Sequence, residues 1–306
     1  MSARELDAAG ITDPRLRAAY EECRRLNAQH GRTYYLSTLL LPAAKRPHVH
    51  ALYGFARYAD EFVDSFDAAD PDRLVTWGDA FLADWERGAS DDPVCAATLH
   101  TARTWGLPKA HFEAFLRSMR MDITVTGYPT YADLKDYMYG SAAVIGLQMV
   151  PILEPLDDAA HDRAKALGEA FQLSNFIRDV GEDLRRGRVY LPQEDLDAHG
   201  VTREDLARGE VTPAVRRLLA AEVARTRGLY AYAATGVPML HPTSRDCIRT
   251  AIALYGGILD AVERADYQVL RQRVAVPLPR RLRVALPGLA RAALARREEA
   301  AWRSAG

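Results

Sequence analysis

The chain has 306 residues with a formal net charge of −1, and it is 48% apolar and 26% charged. That balance allows a sizeable core and gives no reason to expect a nucleic-acid partner. Its three cysteines, Cys23, Cys95 and Cys247, are scattered and odd in number, which argues for a reducing compartment and against a disulfide framework. With no apolar leader at the N-terminus and no run of about 18 apolar residues, the expected location is cytoplasmic.

Almost every segment reads as helix. Asp13-Pro14 supplies a cap and a first-turn proline for an early one. Pro47 opens a helix that carries Asp60 and Asp64. Pro71 opens the next, with Leu74, Trp77, Phe81 and Trp85 at helical spacing and Gly88 as its stop. Pro108 starts another through Phe112, Phe115, Leu116 and Met119. A long apolar helix is predicted from Thr130 to about Leu153, and a second polar one from Asp157 to about Leu184. Two more follow at about 212–235 and 242–267. Gly187 to Pro192 reads as a short extended crossing. Alternating strand patterns and Asn-Gly or Asp-Gly hairpin signals are absent. The expectation is an all-α protein of one domain over 1–306, with a core from about 13 to 275. His48 and His50 stand two apart, on different faces of a helix, and are expected at the surface rather than as metal ligands.

Two stretches carry the chemistry. Tyr53, Arg57, Asp60 and Asp64 follow an i, i+4, i+7, i+11 series, and Gln172, Asn175, Asp179 and Asp183 follow i, i+3, i+7, i+11. Residues four apart on a helix lie about 40° apart around the axis and roughly 6 Å along it. Each Asp-x-x-x-Asp pair therefore presents two carboxylates on one face. Soluble helices usually reserve this spacing for an apolar stripe. A polar row flanked by Phe55, Ala59, Phe62, Phe171, Phe176 and Val180 is costly to bury unless something charged fills it. One such helix alone would suit an exposed face laced with ion pairs such as Arg57 with Glu61. Two matched helices, the second with amide neighbours, favour an oxygen-rich cage of the kind Mg²⁺ needs to hold a diphosphate.

Residues 137–152 combine Gly140, Ser141, Ala142, Ala143 and Gly146 with larger apolar residues. Close helix packing accounts for these small residues, and so does a greasy channel wall with room for a long hydrocarbon.

With both aspartate segments in view, the chain resembles the squalene/phytoene synthase family from about residue 30 to about 285. The resemblance rests on Gly31-Arg-Thr33-Tyr34-Tyr-Leu-Ser-Thr, on Asp60-Glu61-Phe-Val-Asp64, and on the long segment from Gln172 to Asp183. It continues through Arg185-Arg-Gly-Arg188-Val-Tyr190-Leu-Pro, Tyr255-Gly-Gly-Ile-Leu-Asp260 and Asp266-Tyr267. It implies an isoprenoid synthase fold with a central cavity and head-to-head joining of two geranylgeranyl diphosphates to phytoene. The implied cofactor is Mg²⁺ or Mn²⁺, with no NADPH expected. By the same resemblance, Asp60, Asp64, Asp179 and Asp183, assisted by Asn175, would hold the metal and its diphosphate. Arg57, Arg178, Tyr53, Gln172 and Tyr255, and more weakly Arg273, would contact diphosphate oxygens. Thr33 and Tyr34 would lie near the second substrate, and Tyr139, where the polar cage meets the apolar channel, would guide proton loss.

Three positions depart from the family pattern. Gly256 stands where a basic residue often follows the tyrosine, Ala143 replaces a frequent glycine and would narrow the channel, and Gly31 replaces a serine of squalene-type members. Other readings on the same scaffold are a squalene-type synthase using farnesyl diphosphate and a terpene cyclase. A non-catalytic assembly or lipid-binding relative should have lost a carboxylate, and all four are present. The segment 279–303 sets Arg280, Arg281, Arg283, Arg291, Arg296 and Arg297 among leucines. It reads either as a solvated helix packed on the domain or as a basic amphipathic helix for peripheral contact with an anionic membrane. The sequence fixes no oligomeric state.

Overall fold

The computed structural model describes residues 3–64 and 70–305, except for the side chains of Arg32, Val63, Asp64, Leu278 and residues 300–305. Among the described residues there are helices, connecting turns and two isolated bridges, Gly127 with Val189 and Pro155 with Leu240, but no strand.

Capping and proline placement explain where the helices begin. After the short α1 (Ala3–Ala8), α2 (Pro14–His30) starts where Asp13 accepts the Leu16 N–H at 2.8 Å with Pro14 in the first turn. The brief α3 (Arg32–Thr38) leads into α4 (Arg46–Asp64). Asp70 caps α5 (Pro71–Arg87) and Asp92 caps α6 (Pro93–Trp105) in the same way. Gly88 and Gly106 end these two helices in the left-handed conformation that only glycine adopts without strain. Helix α7 (Lys109–Thr124) follows Pro108, and Thr130 with Asp133 forms a capping box at the start of α8 (Tyr131–Met138).

The long apolar helix expected from 130 to 153 is interrupted. A π-helical turn, Tyr139–Ala143, separates α8 from α9 (Val144–Leu153). The 26-residue α10 (Ala160–Arg185) follows, then short α11 (Gln193–Ala198) and α12 (Arg203–Ala207) that periodicity did not reveal. Next come α13 (Pro213–Ala234), α14 (Pro242–Arg264) and α15 (Leu278–Ala305). The extended crossing after Gly187 is present, its Val189 N–H donating to the Thr126 carbonyl at 2.9 Å.

Helix α2 packs along α4 and α6, α10 along α13 and α9, and α14 against α15. One apolar cluster joins Leu52, Phe55, Phe81, Phe112 and Phe115, and another joins Ile177, Leu218, Leu219, Ile258 and Leu259. Glycine allows the closest approaches. A Cβ at Gly140 would overlap the Ala114 carbonyl, and one at Gly168 would overlap that of Ala142. Close packing therefore accounts for part of the small-residue run.

His48 and His50 are not at the surface, since each is 1% exposed. The Tyr20 hydroxyl lies 3.2 Å from His48 Nδ1 and 2.8 Å from His100 Nδ1, and it also contacts Thr101 Oγ1 at 2.7 Å. His50 Nδ1 sits 3.0 Å from Asn27 Nδ2, and its ring stacks on Tyr35. A neutral imidazole can be buried when both its apolar ring and its nitrogens find partners. These partners come from α2, α3 and α6, far away in sequence.

Helix α15 carries the basic segment and packs against α14. Arg291 pairs with buried Asp246 at 2.8 Å, Arg280 pairs with Asp260, and Arg296 donates to the Leu40 carbonyl at 2.7 Å. Those contacts hold the helix on α14 and on the turn after α3, yet Leu282, Leu286, Leu289 and Leu294 remain exposed.

Candidate active site

Helices α4 and α10 flank a cavity of about 1270 Å³. Each imposes a polarity gradient on it. Along α10 the lining residues run from Ala164, Leu167, Gly168 and Phe171 to Gln172, Asn175, Arg178, Asp179, Glu182 and Asp183. Along α4 they run from Val49 and Leu52 to Tyr53, Arg57 and Asp60. In both helices the carboxylates fall near the C-terminal end. The helix dipole there disfavours an anion by about 0.3–1 kcal/mol and favours a cation. Carboxylates concentrated at two such ends make a place that wants positive charge.

Arg178 donates to Asp179 through Nε at 2.7 Å and through its terminal nitrogen at 2.5 Å. Arg273 grips the same carboxylate at 2.8 and 3.0 Å from the extended segment after α14. Two left-handed residues, Asp266 at φ 52° and Tyr267 at φ 61°, turn the chain into that segment. It then lies so near α10 that a Cβ at Gly181 would overlap the Leu270 carbonyl. On α4, Arg57 Nε stands 3.5 Å from Glu61 Oε1, the ion pair expected of an exposed face, although both residues line the cavity.

The two polar halves meet around aromatic rings. Tyr34 and Tyr255 are 4.7 Å apart between centroids, Tyr34 and Tyr53 are 5.8 Å apart, and Phe171 lies 4.4 Å from Tyr255. Burial pushes the phenols of Tyr34, Tyr53 and Tyr255 above the ordinary tyrosine range, so they stay neutral hydroxyls.

The structure thus brings together Thr33, Tyr34, Tyr53, Arg57, Asp60, Gln172, Asn175, Arg178, Asp179, Asp183, Tyr255 and Arg273 around one cavity. The Asp64 side chain lies outside the described residues. Tyr139 is not brought in. It is absent from the lining, and the Lys165 ammonium sits over its ring at 5.6 Å. Residues two apart on a helix point about 200° apart, so only one of Tyr137 and Tyr139 can face the cavity, and it is Tyr137.

One of the departures also loses its expected effect. Ala143 is fully buried away from the lining, so its methyl does not narrow the channel. Gly31 does line the cavity, and a Cβ there would fall 2.5 Å from the Tyr53 ring. The channel-wall reading holds for Ser141, Ala142, Ile145, Gly146 and Met149, which line the apolar part. Sequence reasoning passed over Asp122, Tyr137 and Glu182. A single acidic residue within an amphipathic helix gives no pattern to find.

The donor set is chemically suited to Mg²⁺ or Mn²⁺, because Asp60, Asn175, Asp179 and Asp183 offer oxygen only. Among the described residues no three acidic, histidine or cysteine side chains converge as a ready-made metal cluster.

Residues 27–280 match the squalene/phytoene synthase family. The 15-cis-phytoene synthase of Synechococcus elongatus is 35% identical over 286 residues, covering 87% of this chain and 91% of that one. The chloroplastic phytoene synthase of Daucus carota is 36% identical, covering 92% and 73%. Among solved structures, a dehydrosqualene synthase superposes with a TM-score of 0.83 at 27% identity, covering 90% and 96%. The squalene synthase HpnC of Alicyclobacillus acidocaldarius gives 0.77 at 30%, covering 85% and 98%. An all-helical fold around a cavity with a polar and an apolar part defines an isoprenoid synthase. The chain belongs to the squalene/phytoene synthase family and is a prenyltransferase.

Proposed function

We propose that the protein joins two geranylgeranyl diphosphates head to head, through a cyclopropyl diphosphate, into phytoene with release of diphosphate, as a step of carotenoid biosynthesis. The observation that carries this reading is one cavity with carboxylates and arginines at the ends of α4 and α10 and an apolar wall beyond them. Its volume of about 1270 Å³ exceeds the roughly 300–1,000 Å³ of an ordinary small-molecule site. Relatives named phytoene synthase at 35–37% identity support the same product.

Arg57, Arg178 and Arg273 would take the charge that grows on the leaving diphosphate, an effect that is strongest in a water-poor site. The neutral hydroxyls of Tyr34, Tyr53 and Tyr255 add donors, and Thr33 lines the same cavity. Gln172 and Asn175 can orient phosphate oxygens. Asp60, Asp64, Asn175, Asp179 and Asp183 would hold Mg²⁺ or Mn²⁺, which supplies Lewis-acid neutralisation of the leaving group when bound. The apolar wall of Ile145, Met149, Leu153, Leu167 and Leu254 shields an allylic cation from water. Proton loss ends the reaction, so no hydride donor is consumed.

Among the described residues no helix is long and apolar enough to cross a membrane. A hydrocarbon product still needs an apolar sink, and the exposed leucines of α15, set among arginines, suit the surface of an anionic bilayer.

The test is incubation of purified protein with Mg²⁺ and geranylgeranyl or farnesyl diphosphate, separately, with and without NADPH, followed by mass spectrometry of the extract. A forty-carbon triene made without NADPH is expected. A thirty-carbon product would favour the second reading, a squalene-type synthase, which the names of the two solved neighbours support. No hydrocarbon from either substrate would overturn both.

A further inference from the structure

Asp122, near the C-terminal end of α7, is 7% exposed and lines the cavity, and the chemistry described so far gives it no task. Its Oδ2 accepts the Tyr137 hydroxyl at 2.8 Å and its Oδ1 accepts the Tyr190 hydroxyl at 3.0 Å. Its main-chain carbonyl accepts from the Arg188 guanidinium at 2.6 Å. Groups from α8 and from the extended crossing therefore converge on one residue. The rings it holds form a continuous aromatic surface. Tyr190 lies flat on Phe176 at 4.1 Å with an interplanar angle of 7°, and Tyr137 is 5.7 Å from Tyr190. Tyr137, Phe176 and Tyr190 all line the cavity.

A carboxylate that takes the O–H of two phenols turns their hydrogens away from the cavity. What the cavity then meets is oxygen lone pairs and π faces. Hydrogen bonds to an ionised acceptor are roughly twice as strong as neutral ones, so the orientation is firm. A cation over an aromatic face gains about 0.5–2 kcal/mol. Burial pushes both phenols above their ordinary range, which keeps them from becoming phenolates that a carbocation would alkylate.

We propose that Asp122 is a positioning residue for the carbocation steps, its two oxygens fixing Tyr137 and Tyr190 as a cation-facing wall. This inference rests on the head-to-head synthase reading above. It concerns what happens after the first ionisation, so it acts on the fate of intermediates more than on substrate capture.

Asp122→Asn keeps the shape of the side chain but leaves only one acceptor oxygen where there were two. The variant is assayed with Mg²⁺ and geranylgeranyl diphosphate, measuring diphosphate release and products together. The expected result is diphosphate release and KM within about threefold of wild type, with hydrocarbon reduced at least tenfold. The missing carbon should appear as the cyclopropyl intermediate and as alcohols from water capture. Adding Tyr137→Phe to Asp122→Asn should cost less than about twofold more, although Tyr137→Phe alone costs at least tenfold. Losses that multiply, or products that all fall in proportion, would overturn the proposal. Should Asp122→Asn fail to fold, Tyr190→Phe removes one hydroxyl and should shift the product ratio in the same direction, and an unchanged ratio in that folded variant refutes it. Wild-type protein that makes hydrocarbon while the ratio in the variants stays fixed defeats this inference alone. Wild-type protein that makes none defeats the parent reading with it.

Discussion

Arg273 holds both oxygens of Asp179, at 2.8 and 3.0 Å, across 94 positions of sequence. Asp179 also accepts two hydrogen bonds from its neighbour Arg178, so two guanidinium groups share one carboxylate. Both arginines line the cavity. A diphosphate entering beside them offers stronger and more numerous acceptors than the carboxylate does. Arg273, which the family resemblance implied only weakly, is thus placed where it can pass from Asp179 to substrate.

Replacing Arg273 with alanine should therefore have two opposite effects. Turnover should fall by about 10²-fold, close to 2.7 kcal/mol of transition-state stabilisation. The Mg²⁺ concentration for half-maximal activity should fall as well, because Asp179 loses a competing cation. A metal titration of steady-state rates reads both, and a higher Mg²⁺ requirement would contradict the sharing of Asp179.

Asp60→Ala and Asp179→Ala should each reduce turnover by at least about 10³-fold while leaving far-UV circular dichroism unchanged. Their side chains line the cavity rather than the apolar core. A near-normal rate in either variant would refute the cage.

The tyrosines on either side of Met138 separate cleanly. Tyr137→Phe removes a hydroxyl bound to Asp122 inside the cavity, whereas Tyr139→Phe alters a ring beneath Lys165. The first should slow hydrocarbon formation at least tenfold and the second less than about twofold. Product assays of the pair decide which tyrosine serves the site.

Much of the fold was legible because its punctuation is local. Asp13-Pro14 and Pro71 each open a helix where local chemistry says so, and Gly88 stops one, whereas the helix that begins at Pro93 was not read from the sequence. The two aspartate rows were legible for a related reason, since polar residues took the spacing of a core stripe. What stayed hidden depends on partners distant in sequence. His48 reads as a surface residue until Tyr20 and Thr101 arrive from other helices. Asp122 acquires meaning only from Tyr137 and Tyr190. The π turn at Tyr139–Ala143 has no period of its own to detect, and Tyr137 rather than Tyr139 is the one that lines the cavity.

The buried histidines predict how stability depends on acidity. Burial pushes His48 and His50 down to about 3, with His100 beside the first and Arg24, Arg46 and Glu5 around the second. Between about pH 6.5 and pH 3 the unfolded chain binds protons that the folded chain does not. Stability should be fully present above pH 6.5 and decline as pH falls through that window, by up to about 2.7 kcal/mol per unit for the two groups. Urea unfolding at pH 7, 6 and 5 measures the slope before most carboxylates titrate. A flat profile would mean that these imidazoles reach solvent.

Gly31→Ala should damage both stability and activity. The added Cβ would fall 2.5 Å from the Tyr53 ring and 2.7 Å from Asn27 Oδ1. Overpacking of this kind costs about 1–3 kcal/mol. The denaturation midpoint should drop, and turnover should drop with it as Tyr53 is displaced. A variant with an unchanged midpoint and full activity would show that the ring has room to move.

Gly181 lies two residues from Asp179 and two from Asp183, and its missing side chain is what lets the backbone at Leu270 rest on α10. The position is silent to any chemical survey, having no functional group at all. A single methyl there would lift the following stretch and carry Arg273 off its carboxylate. The seating of Arg273 on Asp179 therefore hangs on a residue between the two aspartates that itself carries no side chain.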